Sequence, residues 1–503
     1  MAMLDRGTPE GAKHGQQVVA KAKRSYYSQA IANASTPKEA FTIAGWHKLT
    51  GRFGTIPLKG DDGYLAVTTE DKARLLRRKV LTDAACAGDI QPEDSTPGTG
   101  HLPFPPLEEP EIRRALLDAG NTTPGDDEIS VPLLKMAWPI LRERITALYK
   151  ACLELGHHPR PFRNADVVFI PKTGKRDQSL PKSYRPISLL RTLAKGLERL
   201  VAKRLSWVAI KYKILHPQQF GALPLRSSAD LTACLVHDVE EAWAKDRKLI
   251  SSVLTGDIQG AFNAILPGRL LKRLRDQGWP DNVARWAFSF ATGRQARTKL
   301  DRVTIPPEPV TCGLPQGSPT SPILFMLFIA PIFFLPGATD WNRYGYADDI
   351  ALRVTGKSAE DNTAQLAQAL QTILDWGASE GITLDPSKSE LIHFARGRSV
   401  PSAAIQLPGF QVSPAKKGEP VKWLGVHFDR QLTFRNHINR VAGKALTVAN
   451  AIRALGNTVR GLPPHLARQT VCACVYGSAS YAAETWWRGL EVRGSKGPTN
   501  LLE

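Results

Sequence analysis

Two adjacent aspartates, Asp348 and Asp349, interrupt the apolar run of Arg343–Leu352 (RYGYADDIAL). The flanking residues predict two short strands, so the pair falls at the tip of a hairpin, exposed but carried on a rigid base. Adjacent carboxylates repel, and the arrangement is costly unless a cation is shared. By itself an Asp-Asp turn is also an ordinary solvated turn. A further carboxylate narrows the choice. In Ser251–Ile265 (SSVLTGDIQGAFNAI) an apolar strand runs into Asp257, and a helix is expected soon after. Asp257 then sits at the carboxyl end of a central strand, a common place for functional side chains, or serves as a helix N-cap. A fold that sets it beside the hairpin tip gathers three carboxylates at one spot.

An oxygen-only set of three carboxylates suits Mg2+ or Mn2+. Two such ions about 3.5–4 Å apart would activate a primer 3′-hydroxyl on one side and hold a triphosphate and its departing pyrophosphate on the other. Nucleotidyl transfer is mainly positioning and charge neutralisation, which calls for carboxylates, not a nucleophilic Ser or Cys. A third piece, Gly313–Pro322 (GLPQGSPTSP), precedes an apolar helix. Its small residues and prolines make either a tight backbone that a base pair can approach or a plain loop.

Such chemistry needs a polyanionic partner, and the charge balance is suited to one. Lys and Arg number 66 against 47 Asp and Glu, a formal net charge of +19. A surplus of that size attracts nucleic acid, or is a generic basic surface, and does not choose between DNA and RNA. At 503 residues, 42% of them hydrophobic, the chain exceeds one domain and can bury more than one core. Cys86, Cys152, Cys234, Cys312, Cys472 and Cys474 include no C-x-x-C pair. That excludes the common zinc and thiol-redox patterns and implies reduced thiols in an intracellular protein, nuclear or cytoplasmic. The first 30 residues lack the apolar run of a signal peptide. Ile323–Leu335 is almost wholly apolar, but it contains Pro331 and is shorter than the about 20 residues a membrane span needs, so a buried helix is expected.

Hydrophobic spacing and turn signals predict the remaining elements. Basic helices over Ala20–Ala34 and Thr69–Ala85 carry Lys21, Lys23, Arg24, Arg74, Arg77, Arg78 and Lys79 on one face. A turn or hairpin lies between them at Pro57–Tyr64, and Gly88–Pro110 reads as a linker or long loop. Then come a helix near Glu111–Ala119, two helical stretches within Val131–Leu155, a strand at Asp166–Pro171, a helix at Lys195–Leu215 and the Leu249–Ile258 strand. A helix at Ile323–Phe334, the hairpin of Arg343–Val354 and a helix at Asp361–Glu380, stopped by Gly381, follow. Strands at Leu391–Phe394 and Val421–Phe428 and a helix at Arg435–Leu455 complete the series.

In order, Gly256–Phe262 (GDIQGAF), Leu314–Pro322, Tyr346–Asp349 (YADD), Gly381–Phe394 (GITLDPSKSELIHF) and Val421–Phe428 (VKWLGVHF) resemble the motif series of reverse transcriptases. Phe169–Asp177 (FIPKTGKRD) and Ser183–Leu190 (SYRPISLL) resemble the fingers of those enzymes. His216–Leu231 (HPQQFGALPLRSSADL) resembles the segment that enzymes of non-LTR, LINE-like retrotransposons carry before the first catalytic aspartate. Thr123–Lys135 resembles their pre-fingers segment, with Asp126-Asp127 where Pro-Asp is usual. The resemblance spans about residues 120–430 and extends more weakly to Ala22–Ala34 and Tyr476–Trp487.

The resemblance implies an α+β right hand: palm sheet, fingers, helical thumb and a basic helical N-terminal extension. Residues 1–110 would be the extension and linker, 111–430 the fingers and palm, and 431–503 the thumb and a truncated C-terminal region. It implies RNA-directed DNA synthesis, in which two Mg2+ or Mn2+ ions support transfer of dNTPs onto a DNA primer paired with an RNA template. On that reading Asp257, Asp348 and the backbone carbonyl of Ile258 hold metal, and Asp349 supports the site. Phe262 blocks a ribose 2′-hydroxyl, unless it is simply core. Lys172 and Arg185 grip the triphosphate and Lys388 assists pyrophosphate departure, unless the two lysines are solvated charges. Gln316 and Gly317 line the incoming base pair. Trp423, Leu424 and Gly425 form the hairpin that holds the primer end, although a Trp on a strand usually packs.

Arg185 precedes Pro186, which keeps its backbone extended. Asn263 stands where many non-LTR enzymes have Asp. The Arg435–Leu455 helix, with Arg435, Arg440, Lys444 and Arg453, resembles a thumb that tracks a duplex backbone. The chain is expected to be a fragment of a longer polyprotein, too short before the polymerase for an endonuclease and after it for ribonuclease H. Two alternatives stand beside this reading. One is an inactive nucleic-acid-binding remnant of a truncated element. The other is an RNA-dependent RNA polymerase, against which Ala347 and Phe262 both argue.

Overall fold

The computed structural model describes residues 54–487, apart from 62, 83–87, 99, 173–176, 260–261, 302, 336–340, 385–387, 398–400 and 456–460, and a few isolated helical residues between 17 and 39. The basic helix expected over Ala20–Ala34 falls largely outside the described residues. Two compact units result: Gly54–Leu424, and Gly425–Glu503 with the chain before Gly54.

The strands of the described residues are β1 (Leu58–Lys59), β2 (Leu65–Ala66), β3 (Asn164–Pro171), β4 (Tyr184–Leu189), β5 (Ile250–Gln259), β6 (Arg294–Leu300), β7 (Val303–Val310), β8 (Trp341–Tyr346), β9 (Asp349–Gly356), β10 (Thr383–Leu384), β11 (Glu390–Phe394), β12 (Ile405–Leu407), β13 (Phe410–Val412), β14 (Val421–Trp423) and β15 (Val426–Phe428). The central sheet has the order β10-β5-β9-β8, and β11 runs beside β5 where β10 leaves off. Alternate residues divide it into two faces. Leu254, Ile258, Ile350, Leu352 and Val354 enter the main core, to which the Ala359–Glu380 helix adds Leu366, Leu370 and Ile373. That helix starts at the Ser358 cap, whose hydroxyl accepts from the Asp361 amide, and ends before Gly381. The opposite face carries Ser251, Thr255 and Asp257, paired with Thr355, Ala351 and Asp349.

The apolar Ser321–Ile329 helix is buried, with Leu324–Ile329 all at 0% exposure. Among the described residues no helix is long and apolar enough to cross a membrane. Val131–Glu154 is one helix of 24 residues that continues through Pro139, where two stretches were expected. Burial of Trp138, Ile145 and Tyr149 on that helix offsets the lost backbone bond. The second sheet, β4-β3-β6-β7, contains a hairpin that the sequence does not signal. Pro306, Pro307 and Pro309 read as strand breakers, yet β7 lies at the edge of its sheet, where proline is tolerated.

Residues 54–110 belong to the larger unit. Leu58, Ala66, Ala73, Leu75 and Leu76 form a second core with Val167, Phe169, Tyr184, Ala296 and Ile305 of the second sheet. The basic face expected on Thr69–Ala85 is partly turned inward. Arg77 is 4% exposed, donates to the carbonyls of Ala296 (2.8 Å) and Pro309 (3.2 Å), and pairs with Glu308 at 2.5 Å. Gly88–Pro110 is fastened rather than free. Asp89 accepts from the amides of Gly268 (2.8 Å) and Arg269 (3.1 Å), and Leu102 and Leu107 enter the main core.

Arg77→Met keeps much of the side-chain volume but leaves those carbonyls without their donor. We expect a loss of about 1–3 kcal/mol, seen as a lower urea midpoint at unchanged m-value. An unmoved midpoint would show that these bonds contribute nothing to the joint.

Candidate active site

β8 and β9 join through a two-residue turn, with Tyr346 paired to Asp349 and Ala347-Asp348 between them. Ala347 takes a φ of 55°, a left-handed conformation that costs an alanine about 1–2 kcal/mol. On the neighbouring strand Asp257 is the register partner of Asp349, and the Ile258 amide donates to the Asp348 carbonyl at 3.0 Å. Register partners on antiparallel strands project from the same face with Cβ atoms roughly 4.5–5.5 Å apart. Asp257 and Asp349 therefore share one face with Asp348 at the tip beside them. β5 continues to Gln259 and the next helix starts at Pro267, so Asp257 is not a helix N-cap.

Burial first, and then the neighbouring Asp257, raise the Asp348 carboxyl above the ordinary range, while Lys388 and Arg185 pull it down. Burial, then Asp348 and Asp257, push Asp349 up to about 6. The Lys388 ammonium is bonded to an Asp257 carboxylate oxygen. Among the described residues no group of three or more His, Cys, Asp or Glu side chains is arranged to hold a metal ion. As it stands, the cluster is three carboxylates with one bound ammonium, short of positive charge.

Arg185 is exposed on β4 and lowers Asp348 through space. Lys172 is turned to another task, its ammonium donating to the Lys182 carbonyl at 2.8 Å. The loop bearing Gln316 and Gly317 is fastened to β4, where the Ser188 amide donates to the Gln316 carbonyl at 2.6 Å. At Gly317, with a φ of 132°, a Cβ would lie 2.4 Å from the Ser188 carbonyl oxygen, so no side chain fits there. Phe262 is half-buried, its ring 5.1 Å from that of Phe325, and its carbonyl accepts from the Leu314 amide at 2.6 Å. Asn263 donates to the Val80 carbonyl at 2.9 Å, joining the site to the N-terminal segment.

Trp423 is 4% exposed and lies edge-on to Tyr344 at 6.4 Å, packed as a strand Trp usually is. By register Tyr344 projects from the carboxylate face. Leu424 and Gly425 both have positive φ, 47° and 83°, and Gly425 opens the second unit. In that unit Arg435, Arg440, Lys444 and Arg453 are exposed on a helix that buries Ile438, Val441, Ala445 and Ile452.

Residues 170–428 match the family model described as reverse transcriptase (RNA-dependent DNA polymerase). The chain belongs to the reverse transcriptase family. Curated relatives carry the same character in their names. The chain is 25% identical over 508 residues to a probable RNA-directed DNA polymerase from transposon BS of Drosophila melanogaster, covering 97% of this chain and 54% of that one. It is 28% identical over 399 residues to a Pol polyprotein from the type-1 retrotransposable element R1 of Bradysia coprophila, covering 77% and 38%. It is 26% identical over 324 residues to the RNA-directed DNA polymerase from mobile element jockey of Drosophila melanogaster, covering 63% and 34%. The chain thus spans about half the length, or less, of these relatives. The expected α+β reverse transcriptase fold and the kinship with non-LTR elements are borne out. A solved structure of apo telomerase from Candida tropicalis, truncated from its C-terminal domain, aligns with a TM-score of 0.37 and 12% identity over 51% of this chain and 54% of that one. That superposition is too loose to argue from.

One buried group of the chain gives no signal in the sequence. Glu198 lies on the Thr192–Lys211 helix among Lys195, Arg199 and Lys203, and reads as a solvated charge. In the fold it is 0% exposed beneath the Gln316-Gly317 loop. Its carboxylate accepts from the Ser318 hydroxyl at 2.6 Å, and its backbone carbonyl from the Thr320 hydroxyl at 2.7 Å. Burial pushes its carboxyl up to about 7. His158, 3.8 Å away, is held down to about 3, again by burial, and so offers no compensating charge.

Because the folded pKa of Glu198 lies above its ordinary 4.5, the folded chain holds the proton more tightly than the unfolded one. The stabilisation is complete below that ordinary value and is lost as pH rises through about 7. Glu198→Gln is therefore expected to raise the thermal midpoint at alkaline pH and to flatten its decline between about pH 5 and pH 8. Equal slopes for both proteins would mean that Glu198 does not titrate in that window.

Proposed function

We propose that this chain is the polymerase part of a non-LTR element protein, transferring deoxynucleotidyl groups from dNTPs onto a DNA primer 3′-hydroxyl, with release of pyrophosphate, under the direction of an RNA template. The observation that carries the reading is the register that sets Asp257 opposite Asp349, with the Ile258 amide holding the Asp348 carbonyl. Asp257 and Asp349, from remote parts of the chain, share one sheet face with Asp348 at the tip beside them, and burial first, then the neighbouring carboxylates, raise Asp348 and Asp349 toward the neutral form. A site of that kind is short of cations, and its oxygen donors fit Mg2+ or Mn2+. Asp257, Asp348 and the carbonyl of Ile258 would hold the ions, with Asp349 supporting them. When bound, a pair of such ions supplies acidity at the primer hydroxyl and neutralises the triphosphate.

The chain's own groups do the rest. Arg185, on β4 of the second sheet, would meet the triphosphate; its pull on the Asp348 carboxyl supports that role. The amide-anchored Gln316-Gly317 backbone offers a close wall to the nascent base pair. Phe262, braced by Phe325, limits room at the sugar and favours deoxynucleotides. Lys388, paired with Asp257, would assist the departing pyrophosphate. Lys172 would have to leave the Lys182 carbonyl to touch the triphosphate. The Trp423–Gly425 turn would support the primer end, with Trp423 as its buried footing rather than a direct contact.

Extension of oligo-dT on poly-rA with dTTP tests this. The wild-type chain should extend the primer with Mg2+ or Mn2+, and Asp257→Asn or Asp348→Asn should cut the rate about a hundredfold or more. Extension that survives either substitution would remove the reaction from this site. On the same primer–template, Phe262→Ala should narrow the preference for dTTP over UTP, read from the ratio of the two kcat/KM values. An unchanged ratio would return Phe262 to a purely structural role.

A further inference from the structure

The hairpin that bears Asp348 is gripped from a side that the carboxylates do not explain. Residues 218–220 run parallel to β8 at Gly345. The Gly345 amide donates to the Gln218 carbonyl at 3.0 Å, and the Phe220 amide donates to the Gly345 carbonyl at 2.7 Å. Gly221 then passes so close to the turn that a Cβ would lie 2.2 Å from the Ala347 nitrogen. Space alone demands glycine there. One side chain closes this segment from behind. Arg226 Nη1 donates to the carbonyls of Pro217 (2.9 Å) and Gln219 (2.8 Å), and its guanidinium lies 5.0 Å over the Phe220 ring.

Arg226 is itself anchored. It precedes Ser227, the cap of the Ser228–Lys245 helix, which is closed reciprocally with Asp230. The same helix carries Asp238, which accepts from the Asn342 amide group at 3.1 Å and from the Tyr344 hydroxyl, both on β8. The helix and the residue just before its cap therefore hold the hairpin at two points. Asp238 grips the strand directly, and Arg226 acts through the 217–221 segment on the turn. A non-glycine residue with a φ of 55°, as at Ala347, persists only where its surroundings over-determine it. The wedge of Gly221 is such a surrounding.

We infer that Arg226 is a positioning residue for nucleotidyl transfer: by clasping the Pro217 and Gln219 carbonyls it seats Gly221 against Ala347 and keeps the Asp348 carbonyl on the Ile258 amide, next to Asp257. This role rests on the polymerase reading above. It acts on geometry at the carboxylates, so it belongs to the chemical step and not to the capture of nucleotide or primer. A displacement of about 1 Å at such a site costs up to about a hundredfold in rate.

The test uses the full chain, with oligo-dT on poly-rA, dTTP and Mg2+, and active sites counted by burst titration. Arg226→Ala should lower kcat per active site about ten- to a hundredfold, while the KM for dTTP and the primer–template dissociation constant stay within about threefold. Arg226→Lys should regain most of kcat, since an ammonium still donates to the carbonyls, though without the planar fork. A kcat per active site within about twofold of wild type for Arg226→Ala overturns the inference, even if the variant melts earlier, because that is what a merely structural arginine would give. Should Arg226→Ala not fold, Arg226→Gln, which keeps one donor, is judged by the same split. Asp348→Asn is run alongside. If it too extends primers at the wild-type rate, the polymerase reading has failed and this role with it. If it is dead while Arg226→Ala is fully active, only the role of Arg226 is lost.

Discussion

Like charges set directly opposite one another on paired strands oppose folding, and this chain builds its central sheet around such a pair. β5 and β9 stay in register from Ile250–Gly356 to Asp257–Asp349, although the last step brings two carboxylates together. The apolar residues of the same strands settle the matter. Leu254, Ile258, Ile350, Leu352 and Val354 must reach the core, and a slip of one residue would turn all of them to the other face. Burial of one face thus dictates the electrostatics of the other. The strain that results is concentrated where a cation or an ammonium can relieve it.

Around that pair the remaining parts act as fixtures. The Gln316-Gly317 loop is bonded to β4, Asn263 reaches the N-terminal segment, and Lys388 returns from the far side of β5 to the Asp257 carboxylate. Each joint links segments distant in sequence through a single bond, to a backbone carbonyl in the first two and to a carboxylate in the third. Such joints set distances between groups more than they add stability. That suits a reaction in which placement and charge do most of the work.

Much of this was legible in the sequence because it is written in local patterns. The Asp-Asp turn between apolar runs, the strand ending on Asp257 and the helical spacing of Asp361–Glu380 each appear near their expected places. The ordered motifs pointed to the family that the comparison found. What stayed hidden depends on tertiary context. Arg77 looks like one more surface cation until β6 and β7 are laid over it, and that hairpin was concealed by its own prolines. Glu198 sits among lysines and arginines in the sequence, yet faces a buried serine. Nothing around Gly221 announces that a turn more than a hundred residues later passes within contact distance.

The prolines of β7 have a consequence beyond disguise. A sheet edge normally offers a row of free amides and carbonyls on which another chain can add a strand. Pro306, Pro307 and Pro309 carry no N–H, and the donor positions of the adjacent Pro306 and Pro307 alternate between the partner strand and this edge. A protein with a charge of +19 that crowds along a polyanion would bring many copies of that edge together. An edge short of amides would leave a neighbouring copy fewer bonds with which to add a strand.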